Sequence, residues 1–230
     1  MADFCFDIVG FDLDGTLVDS SEDLRVALNY ALALAGRPPV DQTDIRKLVG
    51  AGTQQMLVRA LQMTGGGVDA AEVVQLTSAL VEHYAAHIAV HTRLFPGGAA
   101  MLDALAARGV KLAVVTNKLE RLAVKLLEEL ELSSKFYTII GGDTLGPAHA
   151  KPAPDLLHEM VVRSGLTRPK TTLKAAYVGD TSFDSRAARA ARMPCVLVSF
   201  GFADTAPETL GAAAVIDHFD ELVPALEALC

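Results

Sequence analysis

The stretch Ile8-Val9-Gly10-Phe11-Asp12-Leu13-Asp14-Gly15-Thr16-Leu17-Val18-Asp19 starts as a short apolar strand and runs directly into two carboxylates spaced i and i+2. A Gly15-Thr16 turn then closes it. In α/β proteins ligands gather at the carboxyl ends of strands. Acidic side chains placed there are costly unless something compensates their charge. A strand ending in two solvated acids would fit the pattern. So would an aspartyl nucleophile with a neighbouring acid and a magnesium ion.

Further apolar runs of strand length follow at Val110 to Thr116, Tyr137 to Ile140, Ala175 to Val178, Cys195 to Phe200 and Ala213 to Ile216. Helical patterns lie between them at Ala99 to Arg108, Arg121 to Leu130, Asp155 to Ser164 and Phe183 to Arg192. This alternation predicts βαβ units on a parallel, Rossmann-like sheet. Ser20 to His91 departs from it and reads helical almost throughout. Asp19 or Ser20 can cap a helix beginning near Glu22, and further helices are expected at Thr43 to Leu48, Thr53 to Met63 and Asp69 to Ile88. A block this long exceeds an ordinary βα loop. The expected organisation is therefore an α/β core of residues 1–17 and 93–230, with a helical cap of residues 18–92 inserted after the first strand. Phe95-Pro96-Gly97-Gly98 would lead back to the core.

The 230 residues are half apolar, ample for a core and too hydrophobic for disorder. Lys and Arg number 20 against 28 Asp and Glu, with no block of like charge. That balance argues against nucleic acid or an anionic membrane as partner, while leaving room for a small anionic substrate. Cys5, Cys195 and Cys230 are odd in number and far apart, and the expectation is neither a disulfide framework nor a structural zinc site. Met1-Ala2-Asp3-Phe4 carries no basic segment, and Asp7, Asp12 and Asp14 break the first apolar stretch, so neither signal peptide nor transmembrane span is expected. A cytoplasmic enzyme is the default reading. Oligomeric state is not legible.

Three more places bear on Asp12 and Asp14. Val114-Val115-Thr116-Asn117-Lys118 ends a core strand with a hydroxyl and an amide ahead of a helix. Thr116 and Asn117 suit a phosphate at a helix start, though they also suit plain capping. Lys151, between Ala150 and Pro152-Ala153-Pro154, has its approach narrowed by two prolines; an ordinary loop lysine is the alternative. Gly179-Asp180-Thr181-Ser182-Phe183-Asp184 ends another strand in an acid, with a second acid in the first turn of a helix. Asp184 could be no more than a favourable charge there. Taken together, these residues make a device for phosphoryl transfer, which needs an in-line nucleophile and neutralisation of the phosphoryl oxygens. Asp12 would attack, and Asp14 would protonate the leaving oxygen and then activate water. Asp12 and Asp180 would hold Mg2+, which needs few protein ligands.

In carrying DLDGT at Asp12 to Thr16, a strand ending in Thr116, Lys151, and GDTSFD at Gly179 to Asp184, in that order, the chain resembles the haloacid dehalogenase-like superfamily over nearly its whole length. The resemblance implies that family's core fold, Mg2+ dependence, the backbone carbonyl of Asp14 as a further metal ligand, and support of the metal by Asp184. It also implies a cap that closes over small phosphorylated metabolites. Within the superfamily, Arg46-Lys47-Leu48-Val49-Gly50-Ala51-Gly52, Leu94-Phe95-Pro96-Gly97 and Ile140-Gly141-Gly142-Asp143-Thr144 are similar to bacterial phosphoglycolate phosphatases. This makes Arg46, Gly50, Ala51 and Gly52 the candidate substrate-facing elements of the cap. The resemblance implies hydrolysis of a small phosphate monoester, 2-phosphoglycolate first. Alternatives are a phosphatase of another small sugar phosphate, a sugar phosphomutase, against which Thr16 leans, and a phospho-aspartate signalling receiver, which would need no helical insert. Phe183, Leu156 and Arg192 depart from the family's pattern; at Arg192 a left-handed helix end would favour glycine.

Overall fold

The computed structural model describes residues 4–166 and 174–230. The chain opens with strand β1 (Ile8–Phe11), buried at every position, and a short hairpin arm, β2 (Val18–Asp19). Helices α1 (Ser21–Leu34), α2 (Gln42–Leu48), α3 (Thr53–Gly65) and α4 (Ala70–Ala86) follow without an intervening strand. Strand β3 (Arg93–Leu94) then returns antiparallel to β2, pairing Val18 with Leu94. Beyond it come α5 (Gly98–Ala106), β4 (Lys111–Val115), α6 (Glu120–Glu129), β5 (Thr138–Ile140) and α7 (Asp155–Arg163). The chain finishes with β6 (Ala175–Gly179), α8 (Ser182–Ala191), β7 (Cys195–Val198), β8 (Ala214–Ile216) and α9 (Leu222–Ala228).

The main sheet has the order β5-β4-β1-β6-β7-β8, and its neighbouring strands pair in parallel. Counted along the chain, these strands read 3-2-1-4-5-6, so the order reverses beside β1, between it and β6. A crevice opens at the carboxyl ends of strands at such a reversal. Asp12 directly follows β1 and Asp180 directly follows β6, so both acids lie at that reversal.

The helical block packs through the apolar stripe Leu24, Ala27, Leu28, Ala31 and Leu32 of α1 against Leu76, Leu80, Val81 and Tyr84 of α4. Asp23 fastens α1 to the returning strand. Its buried carboxylate accepts hydrogen bonds from the backbone N–H of His91 and Thr92 and from the Thr92 hydroxyl at 2.7–3.0 Å. Ser20 occupies the N-cap position of α1, but its hydroxyl caps nothing and turns to Asp14; Asp19 Oδ1 accepts from Ser21 N instead. Arg192 stands at the end of α8 with φ of 58°, the left-handed conformation expected for its place. Leu156 is fully buried under the sheet.

The cysteines require a correction. Cys5 and Cys230 are disulfide-bonded, with Cα atoms 5.6 Å apart, while Cys195 is buried and free. A separation of 225 residues in sequence hid the pairing, because spacing motifs say nothing about two termini that meet in space. No helix among the described residues is long and apolar enough to cross a membrane.

Candidate active site

The turn after β1 is built around Gly15, whose φ is +86°. A Cβ there would lie 2.3 Å from Asp180 Oδ2 and 2.9 Å from the Phe202 ring, so the position requires glycine on both counts. This close passage lets the Thr16 hydroxyl donate to Asp180 Oδ1 at 2.9 Å, while Phe202 N donates to Oδ2 at 2.7 Å. The loop after β5 brings Lys151 beneath the same strand ends. Its ammonium lies 2.9 Å from Asp12 Oδ1, 2.6 Å from Asp184 Oδ1 and 2.8 Å from the Tyr177 hydroxyl. Asp184 both belongs to this cluster and starts α8: its Oδ2 accepts from Thr181 N at 2.9 Å and from the Thr181 hydroxyl at 2.6 Å.

The electrostatics follow from that crowding. Asp12 is pushed up to about 6 by burial, a rise that Lys151 only partly offsets. Burial, then the negative charges of Asp184 and Asp12, raises Asp180 well above the carboxylate range. Burial would raise Asp184 too, but Lys151 and the Thr181 donors outweigh it and hold it low. Burial would lower Lys151; Asp12 and Asp184 outweigh it and keep it charged.

Asp12, Asp180 and Asp184 each offer a carboxylate oxygen within 4.8 Å of the others, and all three side chains are buried. Asp12 Oδ1 accepts no hydrogen bond of good geometry among the described residues, despite the nearby ammonium. Three buried acids facing one lysine leave a deficit of positive charge, and an all-oxygen donor set suits a hard divalent cation. The residues fit such an ion.

Asp14 faces the other way. It accepts from the Ser20 hydroxyl at 2.6 Å and is bound by Lys118 Nζ at 3.0 and 2.9 Å; Lys118 also reaches the Tyr84 hydroxyl at 2.9 Å. Thr116 is buried, its Oγ1 accepting from Lys118 N. The Asn117 amide ties the two halves of the molecule: Nδ2 donates to the carbonyls of Gly50 and Lys151, and Oδ1 accepts from Lys151 N. With its side chain so committed, Asn117 offers an incoming anion its backbone rather than its amide.

A cavity lies between the strand ends and the helical block, walled by Asp12, Asp14, Thr116, Asn117 and Lys118 below and by Gly50, Gly52, Thr53, Met56 and Tyr84 above. The space open to the centre of a water molecule is ≈ 40 Å³, room for about three waters. Gly50 and Gly52 therefore face it, whereas Ala51 and Arg46 do not line it. Arg46 instead pairs with Asp19 at 2.7 Å and lies over the Phe202 ring. Phe183 packs beneath the Gly50 turn, where a Cβ on Gly50 would meet its ring at 3.7 Å. Sequence reasoning passed over Ser20, Tyr84, Lys118 and Tyr177. Of these only Lys118 carried a signal, as a lysine two residues beyond Thr116 at the same strand end.

Residues 9–198 match the family model of the haloacid dehalogenase-like hydrolases. The chain is 39% identical to the phosphoglycolate phosphatase of Agrobacterium fabrum over 94% of its own length and 90% of that protein. It is 40% identical to the phosphoglycolate phosphatase of Caulobacter vibrioides, over 92% and 86%. The crystal structure of a predicted phosphoglycolate phosphatase from Haemophilus somnus superposes with a TM-score of 0.85 at 28% identity, covering 95% of this chain and 97% of that one. Ordered acidic motifs at adjacent strand ends, a helical insert between the first two and relatives matched nearly end to end have one common explanation: the chain belongs to the haloacid dehalogenase-like hydrolase family.

Proposed function

We propose that the protein is a Mg2+-dependent phosphatase that hydrolyses a small phosphate monoester, 2-phosphoglycolate, to glycolate and phosphate. One observation carries the reading: Asp12, set against Lys151 and clustered with Asp180 and Asp184, shares with Asp14 and Thr116 the wall of a cavity under the helical block. The named activity of the relatives points the same way.

In the mechanism that follows, a carboxylate oxygen of Asp12 attacks phosphorus as the ester oxygen leaves, forming an aspartyl-phosphate. Asp14 delivers a proton to the departing oxygen, giving the free alcohol. It then takes a proton from the water that attacks the acyl phosphate, which restores Asp12 and releases inorganic phosphate. Lys151 binds the phosphoryl oxygens and holds Asp12 in place; Thr116 Oγ1 and the backbone beyond it complete that cradle. Asp12, Asp180 and the carbonyl of Asp14 would hold Mg2+, with Asp184 in support. The ion supplies neutralisation of phosphoryl charge.

Incubation with 2-phosphoglycolate, and separately with β-glucose 1-phosphate plus a bisphosphate activator, tests this. Free phosphate from the first, with no isomerised sugar from the second, is the expected result. Isomerisation without phosphate release would show a mutase, and loss of phosphate release in excess chelator is expected of a metal-dependent enzyme.

A further inference from the structure

We propose that Lys118 and Tyr84 form a receptor for a carboxylate carried on the substrate beyond its phosphate, so that the enzyme selects phosphate esters of short hydroxy acids. The inference deepens the phosphatase reading and rests on it.

Lys118 is the only cation among the described residues that line the cavity, and the wall around it is largely apolar: Leu24, Val49, Met56, Leu80, Val81 and Leu122. An anionic tail entering there has one ammonium to meet. Tyr84 is 2% exposed. Its hydroxyl oxygen accepts from Lys118, and its own proton has no acceptor among the described residues. Burial raises this phenol and keeps it protonated, so it is a donor waiting for a partner. A buried donor left unmatched is costly, and a ligand that accepts from it relieves that cost. A carboxylate has the required two oxygens. One accepts from the Tyr84 hydroxyl, and the other takes the Lys118 proton now directed at the Tyr84 oxygen. Lys118 can meanwhile keep its contact with Asp14.

Two further features favour an anion at this spot. The first turn of α3 is capped by Gly52, which has no side chain to satisfy its N–H groups, and Gly52 and Thr53 both line the cavity. Moreover, Tyr84 belongs to α4 of the helical block while Lys118 follows β4 of the α/β core. The receptor exists only where the two halves meet, and an acid tail seated in it bridges them above the phosphate cradle.

The test compares kcat/KM for 2-phosphoglycolate with that for 2-hydroxyethyl phosphate, which is of similar length but ends in a neutral hydroxyl. The wild-type protein is expected to prefer the acid. Tyr84→Phe and Lys118→Met should each cut that preference roughly tenfold or more, mainly through KM, and Lys118→Arg should keep most of it. Glycolate should inhibit the wild-type protein and ethylene glycol should not, a comparison that needs no variant to fold. Equal use of the two esters, an unmoved preference in both variants, or equal inhibition overturns the receptor while leaving a phosphatase. No hydrolysis of either ester overturns the phosphatase reading itself.

Discussion

The Tyr177 hydroxyl stands 2.8 Å from Lys151 Nζ and donates its own proton to the Val115 carbonyl at 2.6 Å. Because that proton is committed to the backbone, the phenolic oxygen can only accept from the lysine. The ammonium is thereby held by two acceptors, Asp184 and Tyr177, and by its ion pair with Asp12, three contacts in a geometry set by strands β4 and β6. Tyr177→Phe keeps the ring and removes one of the three. It also leaves the buried Val115 carbonyl without this donor, at about 1–3 kcal/mol of stability. Turnover is expected to fall on the order of tenfold from a displaced Lys151. Steady-state kinetics and a denaturant titration check both effects; an unchanged kcat would show that Lys151 does not need the tyrosine.

Asp12→Asn is expected to abolish turnover in a protein that still folds, because an amide cannot form the acyl phosphate. Asp14→Asn should retain a residue of activity, down on the order of a hundredfold or more, since it loses proton transfer but not the nucleophile. Single-turnover assays with circular dichroism as the fold control separate the two. Full activity in Asp12→Asn would remove the proposed mechanism.

These residues stood out because each chemical group ends or follows a strand, and the succession of strands and helices was readable from alternation, though the order of strands in the sheet was not. Asp12, Thr116 and Asp180 each directly follow one of three adjacent strands, β1, β4 and β6. Asp14 and Asp184 stay close to those ends in sequence, and the loop after β5 carries Lys151 to them. Tyr84 could not be found that way. It sits on a helix face among Leu76, Leu80 and Val81 and reads as one more core residue until α4 is laid over Lys118. Arg46 illustrates the opposite case. Its motif pointed to the substrate, but an exposed guanidinium on a short helix is free to pair with Asp19, and it does. The meeting of Cys5 and Cys230 depends on where both ends of the whole fold come to rest, which no local pattern encodes.

His83 provides a pH dependence away from the chemistry. Its ring stacks on Tyr30 of α1 at 4.3 Å and is tilted against His87 at 4.7 Å. Burial first, and then the neighbouring His87 imidazole, holds His83 below the usual histidine range. As pH falls through that usual range, the unfolded chain takes up a proton that the folded chain resists. Stability is therefore retained above it and lost below. The melting temperature should decline between pH 7.5 and pH 5.5, and His83→Gln should make the decline shallower. An identical slope in the variant would assign the effect elsewhere.

Cys5 lies just ahead of β1, at the end of the sheet opposite Asp12, and its bond to Cys230 closes almost the whole chain into one loop. Joining residues 225 apart removes much of the freedom of the unfolded chain; the chain-entropy relation puts the gain at about 5 kcal/mol as an upper figure. A reducing cytoplasm would keep the pair as thiols and withhold that gain. Oxidised protein should accordingly melt several degrees above the same protein in dithiothreitol, and Cys230→Ser should match the reduced form whatever the redox state. Activity at ambient temperature should be the same in all three, since the bond touches none of the groups around Lys151. Equal melting temperatures would mean that the termini stay docked without the bond, held by the packing of α9 on α5 and β7.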